Sequence, residues 1–235
     1  MNDTRVMCTA LAAAVCLSVS AWAQNGAATG GHANALTAQE QKEGWILLFD
    51  GRSLDKWDVT PALAKVFKVG EGSIKVDLSD AGGTLLTKDD FANFVLKAEF
   101  RAHPDINSGI ILRSPAPRPA PAAGEKPTPD PGGPGYELQI RDKVLTDRTG
   151  GEYLTGGIVN VAHSPEGTKI VPNQWNTFEA TLTGDHIVVL YNGAKVVDVH
   201  DARRSTGAIG LQSAHPEDPA GAFVEFRSLR IKRLK

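Results

Sequence analysis

Residues 177–199 read TFEATLTGDHIVVLYNGAKVVDV, and this stretch decides the fold class. Three short segments, 177–183, 186–191 and 195–199, are rich in β-branched and aromatic residues and alternate apolar with polar positions. Asn192-Gly193 joins the last two. A type I′ turn needs positive φ at both central residues, and Asn-Gly supplies it, so the pair predicts a tight β-hairpin.

The same period of two extends outward from this hairpin. Residues 45–49, 66–69, 73–77 and 84–87 are short apolar runs separated by Gly-rich turns. Residues 91–101 (FANFVLKAEFR) set Phe94, Leu96, Ala98 and Phe100 against Val95, Lys97, Glu99 and Arg101. Further strands are expected at 108–113, 136–141, 157–162, 208–212 and 223–234. No long window has helical periodicity. Many short strands at intervals of about ten residues predict an all-β sandwich of two antiparallel sheets, of the jelly-roll kind.

The chain has 235 residues, 41% hydrophobic and 22% charged, with a net charge of −2. One large all-β domain fits that length. The charge balance gives no footprint for nucleic acid or an anionic membrane. Arg5, an apolar run over residues 6–19 and Ala21-Trp22-Ala23 form the pattern of a cleavable signal peptide at 1–23. The mature protein is therefore expected in the periplasm or secreted, with no membrane association. Cleavage after Ala23 removes Cys8 and Cys16, which are the two cysteines of the chain. No disulfide or thiolate chemistry then remains. Residues 24–42 are small and polar and read as a flexible lead. The folded domain is placed at 43–235.

One stretch breaks the rhythm. Residues 114–135 (SPAPRPAPAAGEKPTPDPGGPG) hold eight of the 14 prolines. Proline removes ladder donors and favours extended conformation, so this is a loop between strands. It is either a surface insertion or a docking site for a partner.

No phosphate-binding glycine loop, HExxH or GxSxG is present. The six histidines show no metal-ligand spacing. What remains is polar residues inside apolar strands. Alternation puts Glu137, Gln139 and Arg141 on one face of their strand, with Tyr136, Leu138 and Ile140 on the other. In the preceding strand it puts Asn107, Gly109, Ile111 and Arg113 together. Such residues either face solvent or line a groove where carboxylate, amide and guanidinium groups bind sugar hydroxyls. Trp45, Trp57 and Tyr153 offer stacking surfaces, although the tryptophans also suit the core.

At these residues the sequence resembles a known family. Gly44-Trp45, Leu48-Phe49-Asp50-Gly51, Leu54 and Trp57 match its opening. Phe94–Phe100, then Asn107-Ser108-Gly109-Ile110 with Arg113, match its centre. Gly135–Ile140 (GYELQI) with Asp142, Gln174-Trp175-Asn176, the Ile187–Gly193 hairpin, Gly207–Gln212 and Val224–Arg227 follow in order. The chain is similar over residues 43–234 to the 3-keto-disaccharide hydrolase domain family, a concanavalin-like β-jelly-roll.

The resemblance implies chemistry on glycosides oxidised to a ketone at C3. The ketone acidifies the hydrogen on C2, a base removes it, and the aglycone leaves from C1 by elimination, with hydration completing hydrolysis. Such a site needs a base, an oxyanion stabiliser and an acid for the leaving oxygen. It implies Glu137 as base or ligand, Arg113 as oxyanion stabiliser and His163 as acid/base. Asp50, Asn107 and Gln139 become hydroxyl binders, beside Trp57 and Tyr153 as stacking surfaces. No cofactor is required; a divalent cation on Glu137 and His163 is an alternative to Arg113. His215 follows the GLQ strand, where relatives carry His or an acid directly after the Gln, but Ser213 and Ala214 intervene here. A non-catalytic carbohydrate-binding module on the same fold is the alternative to an enzyme. A two-carboxylate glycosidase is a weaker one.

Overall fold

The computed structural model describes residues 33–77, 82–115, 135–143, 153–215 and 218–235. The expected signal peptide, residues 24–32 of the lead and the Pro-rich stretch 116–134 with its expected partner lie outside them.

Twelve strands are present among the described residues: β1 (Trp45–Leu47), β2 (Phe67–Gly70), β3 (Ser73–Val76), β4 (Thr84–Phe91), β5 (Phe94–Ala102), β6 (Ser108–Ser114), β7 (Tyr136–Ile140), β8 (Asn176–Thr183), β9 (His186–Tyr191), β10 (Ala194–His200), β11 (Gly207–Gln212) and β12 (Val224–Arg233). They form two antiparallel sheets. The larger has the order β10-β9-β8-β5-β12-β3-β2, with β1 also pairing to β12; the smaller has the order β4-β11-β6-β7. This is the all-β jelly-roll sandwich expected from the period of two. Asn192 and Gly193 sit at φ 47° and 82°, so the β9–β10 turn takes both positive angles that a type I′ hairpin needs.

The core lies between the sheets. β5 alternates without a break, with Phe94, Leu96, Ala98 and Phe100 buried. Phe100 stacks on Phe178 of β8 at 4.9 Å, and Phe178 meets Tyr191 of β9 at 5.2 Å. Ile110, Leu112, Tyr136, Leu138, Ile140, Ile209 and Leu211 complete the core from the smaller sheet. Each such side chain contributes about 1.5–3 kcal/mol by leaving water.

Two expectations are corrected. Residues 157–162 are not a strand. Gly156 and Asn160 take positive φ, and Ile158 makes isolated bridges to Leu138 and Ala162, so the segment folds on itself beside β7. The end of the lead is also fastened. Thr37 and Glu40 form a capping box on a helix, α1 (Ala38–Lys42). Asn34 Oδ1 accepts from Ser228 N at 2.8 Å, and Glu40 pairs with Arg230 at 2.7 Å. Among the described residues no helix is long and apolar enough to cross a membrane.

Candidate functional site

The outer face of the smaller sheet collects the polar residues. Register sets the pattern. Ile111 pairs with Glu137, Gly109 with Gln139, and Gly210 with Ile111 and Leu86. Continuing the same registers by one residue places Gln212 opposite Gly109 and Asn107 opposite Arg141. Thr84, which pairs with Gln212, ends that row. Three rows therefore cross the sheet: Leu86–Gly210–Ile111–Glu137, Thr84–Gln212–Gly109–Gln139, and Asn107–Arg141.

The two glycines of this face differ. A Cβ on Gly210 would meet Thr84 Cγ2 at 2.6 Å, so neighbouring side chains already fill that space. A Cβ on Gly109 would meet Leu138 O at 3.0 Å, Glu137 Cγ at 3.2 Å and Glu137 Oε1 at 3.5 Å. Glu137 thus leans diagonally out of its own row, over the space that Gly109 leaves, toward the row of Gln139. A side chain at 109 would crowd the Glu137 stem. Gln139 is 5% exposed, and its Oε1 accepts from Ile140 N at 3.1 Å. Gln212 Oε1 is buried and finds no donor among the described residues. A buried acceptor without a donor costs about 1–3 kcal/mol, which a ligand hydroxyl would relieve. Gln212 was not singled out from sequence; the signal available was its place at the end of an alternating strand.

The segment 153–163 borders this face. Gln139 N donates to Gly157 O at 2.9 Å and Val159 N to Glu137 O at 3.0 Å. Tyr153 and His163 stack on each other at 4.3 Å with rings 3° from parallel. Each ring therefore has one face taken by the other. Asp142 braces the segment: its carboxylate accepts from Thr155 Oγ1 at 2.7 Å and Ile170 N at 2.8 Å. Burial pushes that carboxyl above the usual range, against the pull of those two donors. Asn107 closes the far end, where its backbone N–H donates to Asp218 Oδ1 at 3.0 Å.

Three expected site residues lie elsewhere. Arg113 is fully buried, and its guanidinium donates to the carbonyls of Ala92, Gly184 and Arg204 at 2.6–2.9 Å. The reason is a bulge. Between the Ile111–Gly210 and Ser114–Ala208 pairs, β6 carries two residues against one in β11, and Arg113 takes φ 53°. The extra residue breaks alternation and swings Arg113 off the face of Glu137. It ties three turns together instead. Trp57 is 1% exposed and donates from Nε1 to Leu48 O at 2.8 Å, so it is a core residue. Asp50 is exposed, and its Oδ1 accepts from Arg52 N and Ser53 N, both at 2.8 Å. Those two donors lower its pKa and commit it to a turn after β1. Glu137, Gln139 and Asn107 do come together, with Tyr153 and His163 on the bordering segment. Among the described residues no three His, Cys, Asp or Glu side chains gather as metal ligands.

This arrangement offers a carboxylate over a glycine floor, flanked by two amides on a largely covered face. It can take a proton from a bound ligand and hydrogen-bond hydroxyls on either side.

Comparison with solved structures agrees with the fold. Two crystal structures from Parabacteroides distasonis ATCC 8503, each described as a "putative glycosyl hydrolase", resemble it. The first has a TM-score of 0.66 at 20% identity, covering 86% of this chain and 100% of that one. The second has a TM-score of 0.59 at 21% identity, covering 81% and 99%. The exoplasmic/lumenal domain of VIP36, solved with Ca2+ and Man3GlcNAc, has a TM-score of 0.52 at 9% identity, covering 83% and 90%. No curated protein matches the sequence. The family model described as the 3-keto-alpha-glucoside-1,2-lyase-like domain matches residues 44–232, and the chain belongs to that family.

Proposed function

We propose that the chain is an exported enzyme, periplasmic or secreted, that cleaves glycosides already oxidised to a ketone at C3. The observation that carries this reading is the Glu137 carboxylate held over Gly109 between Gln139 and Gln212. In this reading the ring lies above Gly109. Glu137 takes the C2 proton, and the electron pair moves into a C2=C3 enolate with the charge on the C3 oxygen. The enolate then reforms the carbonyl, a C1=C2 double bond forms, and the C1–O bond breaks. The leaving oxygen takes a proton from His163, at the end of the segment that borders β7. Water adding across C1=C2 gives net hydrolysis. Gln139, Gln212 and Asn107 hold hydroxyls, and Tyr153 supports His163 by stacking. The family supports this substrate class; the elimination itself follows from the chemistry of a 3-ketone.

The test compares a 3-keto 4-nitrophenyl glucoside with its unoxidised parent. The wild-type protein is expected to release nitrophenol from the oxidised compound alone. Glu137→Gln is expected to lower kcat by about 10²–10⁴, the usual worth of a positioned base. A folded wild-type protein inert on every oxidised glycoside would overturn the reading. A second reading, a carbohydrate-binding module without catalysis, is favoured by the two amides Gln139 and Gln212, which suit hydroxyls. There Glu137→Gln would weaken affinity for a sugar that is never turned over.

A further inference from the structure

We propose that Arg141 is the cation that receives the negative charge on the substrate's C3 oxygen. This role rests on the reaction proposed above. With Arg113 spent on three backbone carbonyls, that reaction lacks an oxyanion stabiliser, and the smaller sheet carries a second arginine placed for it.

Four observations converge on Arg141. Leu138 and Ile140 point into the core, Glu137 and Gln139 to the outer face, and Arg141 continues that alternation. It is 5% exposed, so its charge acts where water screens it little. Its backbone is held on both sides, since N donates to Thr155 Oγ1 at 2.9 Å and O accepts from Thr155 N at 2.8 Å. Finally, Glu137 leans toward Arg141. The carboxylate hangs over Gly109, whose row lies midway between those of Glu137 and Arg141. Four residues of strand separate the two Cα atoms by about 14 Å, and each stands roughly 7–8 Å on the diagonal from the Gly109 row. That diagonal is within reach of long side chains.

The geometry fits the electron flow. The proton leaves C2 and the charge appears on the oxygen attached to C3, the adjacent carbon. Base and oxyanion cation must therefore approach a ring from two sides of one spot. A ring above Gly109 meets Glu137 from one row and Arg141 from the other. The guanidinium also offers two parallel N–H donors to one oxygen region, which a lysine ammonium does not. No co-reactant is needed for enolate formation; water enters only in the later hydration.

The test uses the mature protein, the 3-keto 4-nitrophenyl glucoside and deuterated water. Arg141→Met should lower kcat at least 100-fold with KM changed less than threefold. Deuterium exchange at C2 should fall in parallel, because enolate formation is the step that loses support. Arg141→Lys should recover at least tenfold of the loss. If Met at this buried position prevents folding, Arg141→Gln keeps an N–H donor there and should show a loss of at least tenfold per folded molecule. A purely structural role predicts a lower Tm with unchanged kcat per folded molecule, and losses in Met, Gln and Lys variants that track Tm. Folded Met or Gln variants with kcat within threefold of wild type would remove Arg141 from the reaction and leave Glu137 untouched. Wild-type protein inert on oxidised glycosides would overturn the reaction, and this role with it.

Discussion

The two outer faces of the sandwich are both polar, and they are polar in opposite ways. On the larger sheet the charges cross-pair. Glu99 meets Arg227 at 2.7 Å, Arg101 meets Glu225 at 3.2 Å, and Lys97 meets Glu179 at 3.4 Å. The tryptophans there are covered by cations: Arg227 lies 4.0 Å from the Trp175 ring and Lys97 5.1 Å from Trp45. Each charge has a partner and water reaches most of them. On the smaller sheet Gln139 and Arg141 are 5% exposed, Gly109 and Gly210 stand on the outer side of the middle strands, and Gln212 Oε1 has no donor among the described residues. Period-two polarity marks both faces equally. What separates a solvated face from a candidate site is burial together with space left by glycine.

The sharpest way to break this comparison is to fill that space. Gly109→Ala puts a Cβ 3.2 Å from Glu137 Cγ and 3.0 Å from Leu138 O, so the Glu137 side chain must give by a few tenths of an ångström. A misplacement of about 1 Å costs roughly 100-fold in rate at a positioned catalytic group, so a shift of a few tenths of an ångström should lower kcat roughly fivefold. Gly70→Ala on the larger sheet meets only Lys75 side-chain atoms, from 3.6 Å outward, and should leave kcat unchanged. Steady-state kinetics on both variants reads the contrast. Equal kcat values would mean that the Gly109 space is not where a ligand sits.

How much of this could be read in the sequence depends on where alternation holds. β5, β8 and β9 obey it, and so does Tyr136–Ile140; Glu137 and Gln139 are therefore found on the expected face. Arg113 fails because one bulge residue in β6 shifts parity, and nothing in SGIILRS announces a bulge. Trp57 fails because a motif position does not say whether its indole faces the core. Gln212 was within reach of the same alternation that found Gln139, but its vacancy for a donor is a tertiary fact. The segment 157–162 read as a strand because its composition is apolar, whereas Gly156 and Asn160 turn it back.

A smaller effect tests the larger sheet. Glu99 and Arg227 are 19% and 29% exposed, so their attraction is partly screened. A double-mutant cycle, Glu99→Ala with Arg227→Ala, should give a coupling of about 0.2–1 kcal/mol that shrinks with added salt. Turnover should stay at the wild-type value throughout. A coupling several times larger and independent of salt would show that this face is also closed to solvent, and the contrast between the faces would go.

The smallest effect compares one residue type on the two sides. Asp198 lies on the outer face of the larger sheet, where His186 Nε2 at 2.8 Å and Lys195 Nζ at 2.6 Å hold its carboxylate. Those hydrogen bonds lower its pKa to about 2. Asp142 lies just past the end of β7, where burial pushes its carboxyl above the usual value of 3.8. The two must affect stability with opposite sign. Asp198 is depressed in the folded state, so its contribution is present above the unfolded value of 3.8 and is lost as pH falls through about 2. Asp142 is raised, so its contribution is full below 3.8 and is lost as pH rises through its folded value. Carboxyl carbon shifts followed by NMR from pH 7 to pH 2 should show Asp142 titrating before Asp198. In thermal melts Asp198→Asn should lower Tm at pH 6 and by much less near pH 2. If Asp142 instead titrates below 3.8, the end of the smaller sheet is open to water. The low screening that gives Glu137 and Arg141 their strength would then be absent.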